Sequence, residues 1–107
     1  MKLKSYLFSF LFFFISFSSF AQNWQMIWSE EFNYTGLPDS TKWTNEVGLI
    51  RNNELQYYTK NRIENNWVSN GQLKIIGRKE AYKGSAYTSA SITTDQQFTC
   101  TYGKIEA

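Results

Sequence analysis

From Trp24 onward no stretch of the chain repeats apolar residues at spacings of three and four. Short runs rich in aromatic, Thr, Ile and Val residues alternate instead with Asn, Gly, Asp and Ser. Aromatic and β-branched side chains fit a pleated, half-buried surface, and the punctuating residues supply turns. The pattern therefore excludes a long helix and restricts the fold to several short strands. The sharpest local signal is Asn70-Gly71, two residues that tolerate positive φ, set between Arg62 to Ser69 and Gln72 to Lys79. A type I′ turn there makes a two-residue hairpin in which Val68 faces Leu73, Asn66 faces Ile75, and Trp67 faces Lys74 on the other side.

Further strands are predicted at Gln25 to Trp28, Leu55 to Thr59, Tyr87 to Thr94 and Phe98 to Glu106. Loops are predicted at Asn33 to Thr41, which holds the single proline, and at Ala81 to Ala86, around Gly84. A short helical turn over Asp39 to Trp43 would be capped by Asp39 or Ser40. Strands at this spacing point to an antiparallel β-sandwich. The alternating run Tyr102-Gly103-Lys104-Ile105-Glu106-Ala107 meets no turn or polar tail, so the expectation is that the domain continues beyond it.

The first residues have the form of an export signal. Lys2 and Lys4 make a basic start, Leu7 to Phe20 is apolar and broken only by serines, and Ser19-Phe20-Ala21 places small residues where a signal peptidase reads. Cleavage after Ala21 would leave Gln22 at the new N-terminus. A membrane anchor is the rival reading, but the run falls short of the roughly 20 residues a span needs. Without Lys2 and Lys4, nine basic side chains balance nine acidic ones. Neutrality argues against nucleic acid, whose phosphates require a basic face, and leaves no basis for a membrane partner after cleavage. Residues 22 to 107 are few for a self-sufficient core. Small exported domains commonly compensate with disulfides, yet Cys100 is the single cysteine. It reads either as a small buried hydrophobe or as one half of a bridge to a cysteine beyond this chain. Histidine is absent, which excludes a His-based triad or a His zinc ligand in these residues.

Trp24, Trp28, Phe32 and Trp43 read as core aromatics. Glu30 and Glu31 are adjacent, so on an extended backbone they point apart and cannot pair as catalytic carboxylates. Arg51-Asn52-Asn53-Glu54-Leu55-Gln56-Tyr57-Tyr58-Thr59 differs in character. It gathers amide, carboxylate, guanidinium and phenol groups where a turn enters a strand. Amides offer both donor and acceptor, as sugar hydroxyls do, although a polar loop entering an amphipathic strand would have the same composition.

Taken in order, Trp28-Ser29-Glu30-Glu31-Phe32-Asn33, Lys42-Trp43-Thr44, Asn52 to Thr59, Asn70-Gly71-Gln72-Leu73, Tyr87-Thr88-Ser89-Ala90-Ser91-Ile92 and Phe98 to Ala107 resemble the N-terminal part of glycoside hydrolase family 16. The similarity is to its laminarinase-like β-glucanase branch and covers Trp24 to Ala107. It implies a jelly-roll, concanavalin A-like β-sandwich, present here only as its N-terminal part, with a glycan cleft on the concave face. It further implies retaining cleavage of internal β-linkages by two glutamates of a Glu-x-Asp-x-x-Glu strand, about 5 to 5.5 Å apart. That motif is missing from this sequence; in relatives it follows the segment matched here. The chain alone is expected to be inactive, with no catalytic residue of its own, and Glu106 matches a framework position.

The resemblance also implies that Asn53 lines the glycone side of the cleft, with Glu54 and Tyr58 as neighbouring substrate-binding residues. A structural Ca²⁺ in the full-length domain would use Glu31, the carbonyl of Gly71 and an Asp outside this sequence. Calcium takes about six to eight oxygens, so none is expected in this chain alone. Relatives often carry Arg after Tyr-Thr-Ser-Gly, where this chain has Ala90-Ser91, which leaves the identity of the glycan open. The implied parent is a secreted or periplasmic monomer acting on a polysaccharide, β-1,3- or mixed-linkage glucan foremost. The alternative is a non-catalytic glycan-binding jelly roll or a secreted structural sandwich.

Overall fold

The computed structural model describes residues 22 to 107, so the predicted signal peptide, 1 to 21, lies outside the described residues. Among them the fold is all-β, with no helix. In chain order the strands are β1 (Thr44–Glu46), β2 (Gln56–Tyr58), β3 (Asn66–Ser69), β4 (Gln72–Ile75), β5 (Arg78–Tyr82), β6 (Ser85–Ser89) and β7 (Ser91–Thr93). They form an antiparallel β1-β7 pair, a β2-β6-β5 sheet and an antiparallel β3-β4 hairpin. This is part of a jelly-roll sandwich, as expected.

The Asn70-Gly71 hairpin forms in the predicted register, with Val68 opposite Leu73, Asn66 opposite Ile75 and Trp67 opposite Lys74. Both turn residues are left-handed, φ 53° and 72°. A second two-residue hairpin joins β5 to β6 through Lys83 and Gly84, at φ 46° and 85°. The expected loop over Ala81 to Ala86 is thereby corrected: the ladder runs on to a Tyr82–Ser85 pair, with a register irregularity between Lys79 and Tyr82. Lysine rarely adopts this conformation, so composition hid the turn. Asp39, rather than Ser40, caps the turn before β1. Its Oδ1 accepts from the Thr41 amide (2.9 Å) and hydroxyl (2.7 Å), and its carbonyl accepts from the Lys42 and Trp43 amides.

Two elements depart from expectation. β2 and β6 run parallel, Tyr58 beside Ser89, because the β3-β4 hairpin and β5 make the long crossover that a parallel pair requires. Gln25 to Trp28 and Phe98 to Glu106 are not strands. No other described segment pairs with either, and a strand exists only with a ladder partner; Tyr102 is 91% exposed. Cys100, for which a buried place was one expectation, is exposed at the surface.

The interior is more polar than apolar. Tyr58, Val68 and Ala90 are the buried hydrophobic residues, beside buried Thr59, Asn65, Asn66 and Thr88. Asn65 joins the sheets: its Oδ1 accepts from Thr59 Oγ1 (2.7 Å), and its Nδ2 donates to the Ile76 carbonyl (3.1 Å) and Thr88 Oγ1 (3.0 Å). Thr88 in turn donates to Glu80, which receives both guanidinium nitrogens of Arg62. Trp28, Phe32 and Trp43 do pack together, Trp28 edge-on to Trp43 at 5.6 Å and Phe32 stacked on Trp43 at 6.2 Å. Trp24 does not join them and is 58% exposed. The Glu30 carboxylate is buried beneath this cluster, accepting from Trp43 Nε1, Tyr34 Oη and the Phe32 amide, whereas Glu31 faces solvent. The two glutamates thus diverge as their adjacency predicts.

Candidate functional site

The polar block singled out in the sequence enters β2 through a tight turn. Asn52 and Asn53 take consecutive left-handed conformations, φ 47° and 53°, and the Glu54 amide donates to the Arg51 carbonyl at 3.0 Å. Asparagine tolerates this backbone through its short amide side chain. The turn leaves Asn53 exposed at its corner and starts β2 at Gln56.

Strand alternation then divides the tyrosines. Tyr57 packs on Tyr82 at 5.3 Å on one face, with Lys83 over the Tyr57 ring and Arg62 over the Tyr82 ring. Tyr58 points to the other face, where Gln56 Nε2 donates to its phenol oxygen at 2.9 Å. The Arg51 guanidinium lies over the Tyr58 ring, 5.9 Å from its centroid. It also donates to Glu46 on β1, and Ser91 Oγ on β7 donates to the same Glu46 oxygen. The register that pairs Glu46 with Ser91 makes this possible. Hydrogen bonds from Ser91 and then Arg51 hold the Glu46 carboxyl below its ordinary value, and Glu46 holds the Arg51 guanidinium above its own.

Asn53, Glu54 and Tyr58 therefore sit along one turn and strand entry, joined by Arg51, Gln56, Glu46 and Ser91. Glu54 is partly buried, and its Oε2 is enclosed without a hydrogen-bond partner. Such an oxygen is costly to leave unmet. A shallow hollow of about 390 Å³ adjoins Gln56, between Gly77–Lys79 and Tyr87–Ser89. Glu46 and Ser91 were not singled out as a site in the sequence. They come together across the β1-β7 ladder, and no local pattern announces such a pairing.

Glu31 and Gly71, the expected calcium ligands, are both exposed. Among the described residues no group of three or more acidic, His or Cys side chains stands together. A carboxylate and one carbonyl supply only part of the oxygen shell calcium needs, so these residues do not make a site by themselves. Nor does the sequence contain Glu-x-Asp-x-x-Glu. Among the described residues the block brings guanidinium, amide, carboxylate and phenol groups together at the entry to β2.

No family model matches the chain. A β-glucanase of Rhodothermus marinus is 49% identical over 88 residues, covering 80% of this chain and 31% of that protein. The clotting factor G alpha subunit of Tachypleus tridentatus is 44% identical over 88 residues, covering 78% of this chain and 12% of that protein. In three dimensions the chain superposes on the laminarinase of Rhodothermus marinus with a TM-score of 0.72 at 49% identity, over 76% of this chain and 33% of that one. On a mutant of SCLam, a non-specific endo-β-1,3(4)-glucanase from family GH16 co-crystallised with a glucan oligosaccharide, the TM-score is 0.67 at 37% identity. That match covers 72% of this chain and 34% of that chain. The chain thus spans about a third or less of the proteins it matches.

Fold and site together define one portion of a jelly-roll β-sandwich with a polar, aromatic entry to β2. The chain belongs to glycoside hydrolase family 16, in its laminarinase-like branch.

Proposed function

We propose that this chain is the N-terminal part of an exported endo-β-glucanase that cleaves internal bonds of β-1,3- or mixed β-1,3/1,4-glucan. The observation that carries this reading is the 49% identity to the Rhodothermus marinus β-glucanase, combined with the Asn53, Glu54 and Tyr58 arrangement at the entry to β2. In this reading these residues form part of one cleft wall. They bind and orient sugar, while the glutamate pair that breaks the bond comes from later in the parent protein. Signal cleavage after Ala21, an extracellular or periplasmic location and a monomeric state belong to the same proposal. So does a structural Ca²⁺ that takes Glu31 and the Gly71 carbonyl into a shell completed by the parent.

A second reading is a glycan-binding jelly roll without hydrolysis, since the block at the entry to β2 holds polar and aromatic groups without the glutamate motif. Incubating the full-length parent with laminarin and lichenan separates the two. Release of new reducing ends with formation of short oligosaccharides is the expected result; binding without release identifies the binding module. Neither binding nor release contradicts both readings. N-terminal sequencing of the exported parent should begin at Gln22.

A further inference from the structure

The turn that carries Asn53 is poorly held by its own residues. Leu49 to Asn53 are all exposed, so this stretch of the β1-β2 connection has no buried side chain to anchor it. Asn52 and Asn53 both take left-handed backbone, a conformation unfavourable to any residue with a Cβ, although asparagine bears it better than most. Residues of this kind persist only where the surroundings over-determine them, and they gather at functional sites. Two ties do so here. Gly48 and Tyr58 exchange both backbone hydrogen bonds, each at 3.0 Å, and close the ends of the connection. Arg51, whose carbonyl accepts from the Glu54 amide to close the turn, is fastened through its guanidinium to Glu46.

We propose that Glu46 is a positioning residue: by holding Arg51 it fixes the turn from Arg51 to Glu54 and so sets Asn53 for the glycan. Three elements meet on one of its carboxylate oxygens. Arg51 donates to it from the turn, and Ser91 donates to it from β7, directly opposite Glu46 in the ladder. Ser91 therefore aims the carboxylate, and the β1-β7 pair gives the turn its footing. The Arg51 guanidinium also lies 5.9 Å from the centre of the Tyr58 ring, and release from Glu46 would leave it that weaker contact. With its side chains 45% and 30% exposed, the Arg51–Glu46 pair adds little to global stability. Among the described residues it is nonetheless the one side-chain hydrogen bond from this turn to the β1-β7 pair. This inference rests on the proposed reading that Asn53 faces glycan.

The test uses the full-length parent with laminarin, as wild type, Glu46→Ala, Asn53→Ala and the double variant. Glu46→Ala should raise KM about three- to tenfold with kcat little changed, as expected for release of one partly exposed charge-assisted hydrogen bond. The double variant should have the KM of Asn53→Ala alone, because a residue that acts through Asn53 has nothing left to position. A merely structural role for Glu46 would multiply the two effects instead. Where the parent binds without cleaving, Kd is read in place of KM. If Glu46→Ala does not fold, Glu46→Thr, which suits a strand and is too short to reach Arg51, takes its place, alone and with Asn53→Ala. An unchanged KM in a folded Glu46 variant, or a double variant whose effect is the product of the single ones, overturns this inference alone. An Asn53→Ala variant with the wild-type KM removes Asn53 from the wall, and this inference with it. A wild-type parent that neither binds nor cleaves laminarin or lichenan overturns the proposed function as well.

Discussion

Asn65 is fully buried and uses its amide to join three separate segments: Thr59 after β2, Ile76 after β4 and Thr88 in β6. Replacing it by Leu keeps the branched shape but removes a hydrogen bond from each of Thr59, Thr88 and the Ile76 carbonyl, and leaves that carbonyl without its side-chain donor. The expected loss is about 2 to 4 kcal/mol, read from the denaturant midpoint of the full-length parent. A loss below about 0.5 kcal/mol would mean that water replaces the amide without penalty. Glu80 predicts a pH dependence. Hydrogen bonds from Arg62 and then Thr88 hold its carboxyl below the ordinary 4.5. The folded state therefore binds that proton less readily than the unfolded chain, so the stabilisation is present above about pH 4.5 and is lost as pH falls through the lowered value. Glu46 and Asp39 are shifted in the same direction, so Glu80→Gln should flatten only part of the acid limb of stability against pH. An identical limb in the variant would exclude Glu80 as a contributor. None of these links was legible in the sequence. Asn65 resembles any polar residue before a strand, and the partners of Glu80 lie 18 and 8 positions away.

At the scale of elements, legibility followed how local the cause was. The Asn70-Gly71 hairpin was read down to its residue pairs because turn chemistry and alternation both reside within a few positions. The β5-β6 hairpin was missed because Lys83 occupies a left-handed position that lysine seldom takes, leaving Gly84 as the lone signal. The edge assignments Gln25 to Trp28 and Phe98 to Glu106 were overestimated. Composition makes them good strands, but a strand needs a neighbour that composition cannot supply. The hairpin gives a clean test. A Cβ on Gly71 would meet nothing within 4 Å, so Gly71→Ala has only the backbone cost of φ +72°. That cost is about 1 to 2 kcal/mol. Chemical denaturation of the parent should show it; no loss would mean the turn relaxes to another type.

At the scale of the molecule, the described residues leave many large apolar side chains exposed. Met26 is 76% and Leu55 71% exposed, and Leu49, Ile63 and Ile75 are each at least half exposed. Large apolar side chains exposed in this number are commonly covered by another layer. With the chain spanning about a third of the laminarinase it resembles, that layer is expected from the rest of the sandwich. Residues 22 to 107 expressed alone should therefore bind a hydrophobic dye and melt without a cooperative transition. A sharp transition with dispersed amide resonances would refute this. The polar block at the entry to β2 was legible as a block, since Asn53, Glu54 and Tyr58 lie within a few residues of one another. Its supports, Glu46 and Ser91, arrive from strands 45 residues apart and emerge only once β1 and β7 pair.

The claim that this block is a glycan-binding wall is tested most directly by amide hydrogen exchange on the full-length parent, with and without a laminarin oligosaccharide. The account predicts slowed exchange at Arg51 to Tyr58 and at Glu46, with Asn70 and Gly71 in the β3-β4 turn unchanged. Bound oligosaccharide that leaves Arg51 to Tyr58 exchanging at the free rate would contradict it.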